Sequence, residues 1–308
     1  MALPSIVKNI LLTNAKYNCD VFAHYYSDRN SDEDSDVEAI HSLKDLVEIN
    51  AAHVGRSLPA TVVRGETEGE FLTKYGDLVT HYQTSIDPIT GKPIYFPWAD
   101  KNSVTHIKEY VMEWNSIQSA WGEMMDHAEE HGIEYERAAF FRTDALYALP
   151  IDIYQMDKDT LDYANRFTVI PAFGKYPVSD RMIYGPVEAV KIWATERFQR
   201  LEHYLATNRL EGYGMHTNHY LAQEILPAIE QMNGHKIIEN ADICFLRTLE
   251  GNGVMLSDCT AGGSARGIHE LNQINLVEAL VDLPCKRDLS ALELPYERFS
   301  RNASRASG

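Results

Sequence analysis

Arg142 and Asp144 directly follow an apolar run that has the composition of a β-strand. Ligands bind where strands end in an α/β sheet, and a carboxylate there is a hard oxygen ligand of the kind that Mg²⁺ or Mn²⁺ takes beside a phosphate. We therefore interpret Asp144 as a candidate metal ligand and Arg142 as a candidate phosphate contact. A simple ion pair between the two side chains at a loop edge is the alternative.

A second candidate lies in the segment 178–185, which contains Asp180 and Arg181. We expect this segment to be a loop between a buried strand and a helix, so that it meets the same edge of the sheet. A carboxylate there could position a hydroxyl group or accept its proton, which makes Asp180 the candidate catalytic residue. Arg181 is a candidate contact for the donor. The alternative is an aspartate that only satisfies backbone amides of the loop.

A third candidate is His216, just before a predicted helix that begins near Thr217. If this loop folds over the site, His216 could complete a metal shell or hold a diphosphate. Capping of the helix by Thr217 or Asn218, with a purely structural histidine, is the alternative. The spacing of His216 and His219 lacks the glutamate of a zinc peptidase motif.

The composition limits the partners of the chain. Its 308 residues are 44% hydrophobic and 24% charged, which is enough for a large globular core. The formal net charge of −17 would repel a phosphate backbone, so we expect no nucleic-acid partner. No apolar run is long enough to cross a bilayer, so no membrane segment is expected.

The cysteines are spread widely and contain no CxxC pair, which predicts neither a disulfide scaffold nor a zinc site. Free thiols are favoured, and a Cys244–Cys259 bond is the alternative in an oxidising compartment. An acidic run between Ser27 and Asp36 is typical of a solvated loop, with a multi-carboxylate metal site as the alternative.

Strand-like and helix-like segments alternate along the chain, which predicts a mostly parallel sheet flanked by helices, a Rossmann-like α/β fold. We expect an α/β domain over 1–262 and a C-terminal extension over 263–308 whose last residues are disordered. Helices are predicted at 4–15, 37–52, 103–131, 186–206 and 217–232; strands at 20–26, 60–64, 135–141, 167–173 and within 236–246; and loops at 86–100 and 174–185.

This order of parts resembles that of nucleotide-sugar-dependent glycosyltransferases with the A-type fold, and specifically their poorly characterised plant, algal and bacterial families. The resemblance covers about 4–246. The families usually begin with a strand and a small-residue loop that hold the nucleotide base, whereas this sequence starts at the helix that should follow them, so we expect either a truncated sequence or an incomplete nucleotide pocket. The matching motifs are Asp20-Val-Phe-Ala-His24, Ser116-Ile117, Arg142-Thr-Asp144, the stretch from Pro171 to Arg181, and the helix start at His216-Thr-Asn218, where the family more often has an acid in place of Asn218.

The resemblance implies a transferase that moves a sugar from a nucleotide-sugar donor to a hydroxyl group of a glycan, lipid or protein. It implies Mn²⁺ or Mg²⁺ on Asp144 bridging the donor's diphosphate, and Asp180 near the sugar and the acceptor. The rivals are a catalytically silent carbohydrate- or protein-binding module and a metal-dependent phosphate-ester hydrolase. We expect a soluble protein as written, in a Golgi or secretory lumen if an anchor lies upstream and otherwise in the cytoplasm.

Overall fold

The structure, a computed structural model, describes the parts of the chain that hold the candidate residues. The described residues are 5–27, 60–98, 103–147, 149–154, 167–172, 177–207, 213–240, 242–243, 245–249, 253–255 and 268–270. The acidic run after Ser27, the predicted helix at 37–52 and three of the four cysteines lie outside these residues. Cys19, which lies within them, is a free thiol.

Helices form one part of this mixed α/β structure. They are α1, made of the consecutive helical segments Val7–Leu11, Leu12–Asn14 and Ala15–Tyr17; α2, Glu68–Thr84; α3, Ser103–His131; α4, Val187–Thr195; α5, Arg197–Thr207; and α6, made of Thr217–Tyr220, Leu221–Ile225 and Leu226–Glu230.

The strands form small sheets. They are β1, Val21–Ser27; β2, Thr61–Thr67; β3, Arg137–Phe140; β4, Ala145–Tyr147; β5, Phe167–Pro171; β6, Ile183–Pro186; β7, Lys236–Asn240; β8, Phe245–Leu249; β9, Gly253–Met255; and β10, Ile268–Glu270. Within the described residues β1 pairs with β2, a second sheet has the order β3-β6-β5-β7, and a third has the order β4-β8-β9-β10.

The pairing corrects the prediction of a mostly parallel sheet, because the sheets are mixed. β1 with β2 and β5 with β7 are parallel, whereas β6 runs antiparallel to both β3 and β5. Only residues 172–182 separate β5 from β6. A crossover that would make such a pair parallel needs about a dozen residues or more, usually with a helix. The segment expected as a loop at 174–185 therefore ends in a buried strand.

The β3-β6-β5-β7 sheet is covered on both faces, as expected for a sheet at the centre of an α/β domain. Ala138, Ile183 and Ile170 join the larger core, which also contains side chains of α2 to α6. Their neighbours Val169 and Tyr184 belong to a second core that includes apolar residues of α1. Successive residues of a strand point to opposite faces, so the sheet separates the two cores.

α3 is a single continuous helix of 29 residues, and its buried side chains belong to the larger core. Its buried side chains recur at helical spacing, with Ile107, Val111 and Trp114 at 0 to 1% exposure. The helix ends before Gly132, which has a φ of +65° that suits glycine. The helix and its stop are thus as predicted, and the apolar stripe is core.

Hydrogen bonds join α1 and the residue Ser5 before it to Tyr147, which follows the turn that contains Arg142 and Asp144. The side chain of Asn9 donates a hydrogen bond of 2.7 Å to the carbonyl of Tyr147, and the hydroxyl of Ser5 accepts one of 3.0 Å from the amide of Tyr147. Both contacts are buried, where an unmade hydrogen bond would cost about 1–3 kcal/mol. α1 therefore fixes the strand that follows Asp144.

The helix predicted at 186–206 is two helices, with Glu196 between α4 and α5. The predicted helix at 217–232 is present as α6, which contains one wide π-helical turn. No helix in the described part of the chain is both long and apolar enough to cross a membrane.

Candidate functional site

The Arg142–Asp144 corner lies in the turn between β3 and β4. The buried hydroxyl of Tyr147 closes it by accepting a hydrogen bond of 2.9 Å from the amide of Arg142 and donating one of 3.1 Å to its carbonyl. Since Tyr147 is in turn held by α1, the position of the corner depends on buried contacts on both sides. Its side chains stay accessible, at 35% for Arg142 and 45% for Asp144.

The two side chains of the corner form a bidentate ion pair. Nε and Nη2 of Arg142 donate hydrogen bonds of 2.7 Å to Oδ1 and Oδ2 of Asp144. Burial raises the pKa of Asp144, but these bonds and the charge of Arg142 outweigh burial and lower the pKa below its usual range. Asp144 is therefore a carboxylate at neutral pH.

Both oxygens of Asp144 accept hydrogen bonds from Arg142, so a divalent cation at this corner would have to share the carboxylate with that guanidinium. Within the described residues, no group of three or more His, Cys, Asp or Glu side chains is arranged to hold a metal ion. A magnesium ion can be held by one carboxylate together with substrate phosphates, so the metal assignment of Asp144 stays a prediction.

Glu113 is a carboxylate in the middle of α3 that the sequence did not single out. Its side chain is one third exposed, and Oε1 lies 3.8 Å from Nη1 of Arg197. Burial raises the pKa of Glu113; Arg197 opposes this effect, and the charges of Asp180 and Asp144 add to it. Glu113 thus holds a proton more readily than an ordinary glutamate.

Arg197 is a buried guanidinium at the start of α5, with 1% of its side chain exposed. Nε donates a hydrogen bond of 3.1 Å to the carbonyl of Trp193, and the guanidinium lies 4.5 Å from the centre of that indole ring. Its two terminal nitrogens have no hydrogen-bond partner among the described residues. Burial lowers the pKa of Arg197, and the nearby carboxylates Glu113 and Asp180 oppose that effect.

Asp180 lies in the half-buried segment just before β6, where the sequence had predicted a loop between a strand and a helix. Its charge raises the pKa of Glu113, of Tyr110 and of both arginines, so it lies within electrostatic reach of the corner and of the buried guanidinium. Arg181 is also half-buried, and its role as a donor contact stays a prediction.

These five side chains make one site, which we call the acid–arginine cluster. α3, α5, the corner after β3 and the segment before β6 each supply a part of it. Glu113 feels the charges of the four other groups, and a set of two arginines and three carboxylates can neutralise a phosphate and move a proton. The members of the acid–arginine cluster are Glu113, Arg142, Asp144, Asp180 and Arg197.

His216 lies beside this cluster, in a group of half-buried rings that we call the ring cluster. The charge of Asp180 acts on His216, and Thr217 next to it lies against the side chain of Tyr110. The predicted role of His216 in donor binding stays a prediction. The ring cluster consists of Trp98, His106, Tyr213, His216 and His219, with neighbouring ring centres 4.7 to 5.9 Å apart.

A separate polar network occupies the carboxyl ends of β1 and β2, and it contains two of the motif residues. Nδ1 of His24 is 3.1 Å from the hydroxyl of Ser116, and Nε2 is 3.6 Å from Glu66. Asn115 donates hydrogen bonds to Glu66 and to the hydroxyl of Tyr26. With only 2% of the His24 side chain exposed, this network fixes α3 against the two strands.

The sequence missed the residues whose role depends on tertiary burial. Glu113 precedes the buried Trp114, so an acid at the edge of an apolar helix stripe was the available signal. Arg197 follows Glu196 in a helical stretch and looks like an exposed residue. Trp98 and Tyr213 lie in loops with no pattern that would pair them.

No protein-family model, no curated protein and no solved structure matches the chain.

Proposed function

We propose that this protein is a glycosyltransferase that moves a sugar from a nucleotide-sugar donor to a hydroxyl group of an acceptor, and that its sheets belong to a Rossmann-like fold. The observation that carries the proposal is the acid–arginine cluster. Arg142, Asp144 and Asp180, three residues chosen from sequence for this chemistry, share it with a second arginine, Arg197, and a third carboxylate, Glu113. The parallel pairs β1–β2 and β5–β7 support the proposed fold.

The reaction needs two kinds of group. The bond between the anomeric carbon and the donor phosphate oxygen breaks, and its electron pair leaves with the nucleotide. A bond forms between the acceptor oxygen and the anomeric carbon, and the acceptor proton passes to a base. Cationic side chains therefore have to meet the phosphate, and a carboxylate has to meet the acceptor hydroxyl.

The proposed roles follow from charge and exposure. Arg142 is one third exposed and always charged, so its guanidinium faces the donor phosphate, with Arg181 and His216 as further donor contacts. Asp180 accepts the acceptor proton or orients the hydroxyl group. The buried Arg197 keeps positive charge behind Asp180 and Glu113.

Mn²⁺ or Mg²⁺ remains part of the proposal as a partner of the donor diphosphate. Such an ion would supply charge neutralisation for the departing nucleotide. Asp144 would have to share its carboxylate between Arg142 and the cation. No step above depends on the ion, since Arg142 provides positive charge at the same corner.

A thermal-shift titration with UDP, GDP and CMP, each with and without Mn²⁺, tests the proposal. We expect one nucleotide to raise the melting temperature, because binding to the folded state alone stabilises it. Arg142→Gln should abolish the shift, and Asp144→Asn should abolish any part of it that depends on Mn²⁺. Lys92→Gln, an exposed charge in the loop after α2, is the matched control.

No shift with any of the three nucleotides would contradict the proposal and favour a binding module. Release of phosphate from simple esters without an acceptor would favour the hydrolase. A shift that survives Arg142→Gln would move the donor site away from the corner.

A further inference from the structure

Two imidazole rings lie side by side at the C-terminal end of α3. His127 and His131 are four residues apart on this helix, so their side chains project from the same face. Their ring centres are 4.1 Å apart, and the ring planes are inclined by 32°. His127 is half-buried and His131 is exposed. The two rings therefore form a pair on an accessible face of the helix.

A backbone hydrogen bond orients the ring of His131. Its Nδ1 lies 3.0 Å from the carbonyl oxygen of His127. Because a carbonyl oxygen only accepts, Nδ1 is the donor, and in the neutral ring the lone pair is on Nε2. Metal-binding histidines commonly have this arrangement, in which one ring nitrogen donates to a carbonyl and the other binds the ion. Nε2 of His131 is thus prepared as a metal ligand.

The ring of His127 is held by packing rather than by hydrogen bonds. It lies against Phe22 of β1, with ring centres 5.6 Å apart, and against His131 on its other side. Among the described residues, neither ring nitrogen of His127 has a hydrogen-bond partner, and neither is fully buried. The ring is therefore positioned while a nitrogen lone pair stays available, which lowers the entropic cost of binding an ion.

The separation of the rings suits two neighbouring ligands of one metal ion. Two imidazoles that bind one ion at about a right angle have ring centres about 4.5 Å apart, since each metal–nitrogen bond is about 2 Å long. The observed distance of 4.1 Å is close to this value. A right angle between nitrogen ligands belongs to the square-planar or tetragonal geometry of Cu²⁺ and Ni²⁺.

The surrounding charge favours a cation. Residues 121–136 include no Lys or Arg but six acidic residues, which are Glu123, Asp126, Glu129, Glu130, Glu134 and Glu136. Glu123 is paired with Arg64. Such a field raises the local concentration of cations, whereas the two imidazoles select a transition-metal ion over Mg²⁺, which prefers oxygen ligands.

We propose that His127 and His131 form a surface site for a divalent transition-metal ion, which both imidazoles bind in neighbouring positions while water occupies the others. Cu²⁺ binds most tightly, and Ni²⁺ and Zn²⁺ bind more weakly. The site goes beyond the proposed function, because His127 lies about 21 Å from Glu113 along the axis of α3. A bound ion cross-links the last turn of the helix next to Gly132.

Calorimetric titration of the full chain with Cu²⁺ and with Ni²⁺, without nucleotide, tests the inference. We expect His127→Ala and His131→Ala each to weaken binding at this site by more than about tenfold, because each removes one of two protein ligands. Pulsed EPR of the chain loaded with one equivalent of Cu²⁺ should show two imidazole nitrogens bound to the ion, and one in either variant.

His106→Ala is the matched control, since it removes a partly exposed imidazole near the other end of the same helix. Nδ1 of His106 is 2.7 Å from Glu109, so this imidazole already has a carboxylate partner. The affinity of this variant for both ions should equal that of the wild-type protein, and its EPR spectrum should still show two imidazoles. The comparison separates the proposed site from metal binding by other histidines of the chain.

Unchanged affinity in either His127→Ala or His131→Ala would overturn the inference, because the ion would then not need both rings. An EPR spectrum of the wild-type protein with a single bound imidazole would also overturn it. Displacement of Ni²⁺ by an excess of Mg²⁺ would assign the ion to the carboxylates instead. None of these outcomes depends on whether the chain binds a nucleotide sugar.

Discussion

Two arginine–carboxylate pairs of the acid–arginine cluster differ in the burial of their arginines and in their hydrogen bonding. Arg142 and Asp144 are 35% and 45% exposed and make two hydrogen bonds of 2.7 Å. Arg197 and Glu113 are 1% and 33% exposed, and their closest N–O distance is 3.8 Å. The Arg142–Asp144 pair is closely hydrogen-bonded, whereas the buried Arg197 has no hydrogen-bond partner for its two terminal nitrogens among the described residues.

This difference indicates that the pair of Arg197 and Glu113 does not stabilise the fold. A buried charge costs several kcal/mol in lost hydration, and a long, poorly hydrogen-bonded pair does not recover that cost. The pKa values agree, because burial raises that of Glu113 and lowers that of Arg197, in each case against the charged form. Charged groups whose pKa values are shifted by burial are often found at functional sites.

The largest expected effect comes from replacing the pair that contains the buried Arg197. We expect the double variant Glu113→Gln with Arg197→Met to be more stable than the wild-type protein by about 1–3 kcal/mol, because the buried charge of Arg197, poorly compensated by a one-third-exposed carboxylate 3.8 Å away, leaves the interior while the volume is kept. Urea unfolding with an unchanged slope measures it. A double variant less stable than the wild type would show that the pair stabilises the fold.

Replacing the exposed pair should have a smaller effect of opposite sign. We expect Asp144→Asn to lower the free energy of unfolding by less than about 1 kcal/mol, since water and salt screen an accessible pair even when its geometry is good. The same urea experiment applies. A loss of several kcal/mol would mean that the corner is part of the structural core.

The smallest expected effect is the pH dependence of stability, which should have opposite signs for the two pairs. The pKa of Glu113 is raised, so its folded form binds more protons, and the stability of the wild type relative to Glu113→Gln should rise as the pH falls from about 7 toward 4.5. The pKa of Asp144 is lowered, so the stability of the wild type relative to Asp144→Asn should fall below about pH 4.

Unfolding midpoints at about pH 7, 5 and 3.5 for the three proteins give both differences. If the stability of the wild type relative to each of the two variants changed in the same direction as the pH falls, the contrast between the pairs would be contradicted.

Much of the fold could be predicted where one physical signal dominates. The apolar stripe of α3 and the glycine after it predict a long buried helix, and the structure has it. β6 was missed because its Gly185 and Pro186 are typical of turns. The segment is nevertheless a strand because it pairs with β3 and β5. Gly185 allows β5 to approach closely, since a Cβ at this position would lie 2.9 Å from the hydroxyl of Thr168.

The candidate site also contains some residues that the sequence could indicate and others that it could not. The sequence predicted that the segments of Arg142, Asp144 and Asp180 meet at one edge of the sheet. They do so because Phe140 pairs with Ile183 in the antiparallel strands β3 and β6, while the roles of the three residues stay predictions. The bidentate pairing of Arg142 with Asp144 had been the simpler alternative, and the structure contains it. Glu113 and Arg197 were not predictable, since the burial of a charge depends on what packs around it and leaves no periodic pattern in the chain.

The most direct test of the central claim is a nucleotide-release assay with UDP-, GDP- and CMP-sugars, with and without Mn²⁺ and an oligosaccharide acceptor. The account predicts that one donor class releases its nucleotide, that the acceptor accelerates the release, and that Asp180→Asn abolishes the acceleration while the protein stays folded. No release from any donor in the presence of acceptor and Mn²⁺ would contradict the assignment of a glycosyltransferase.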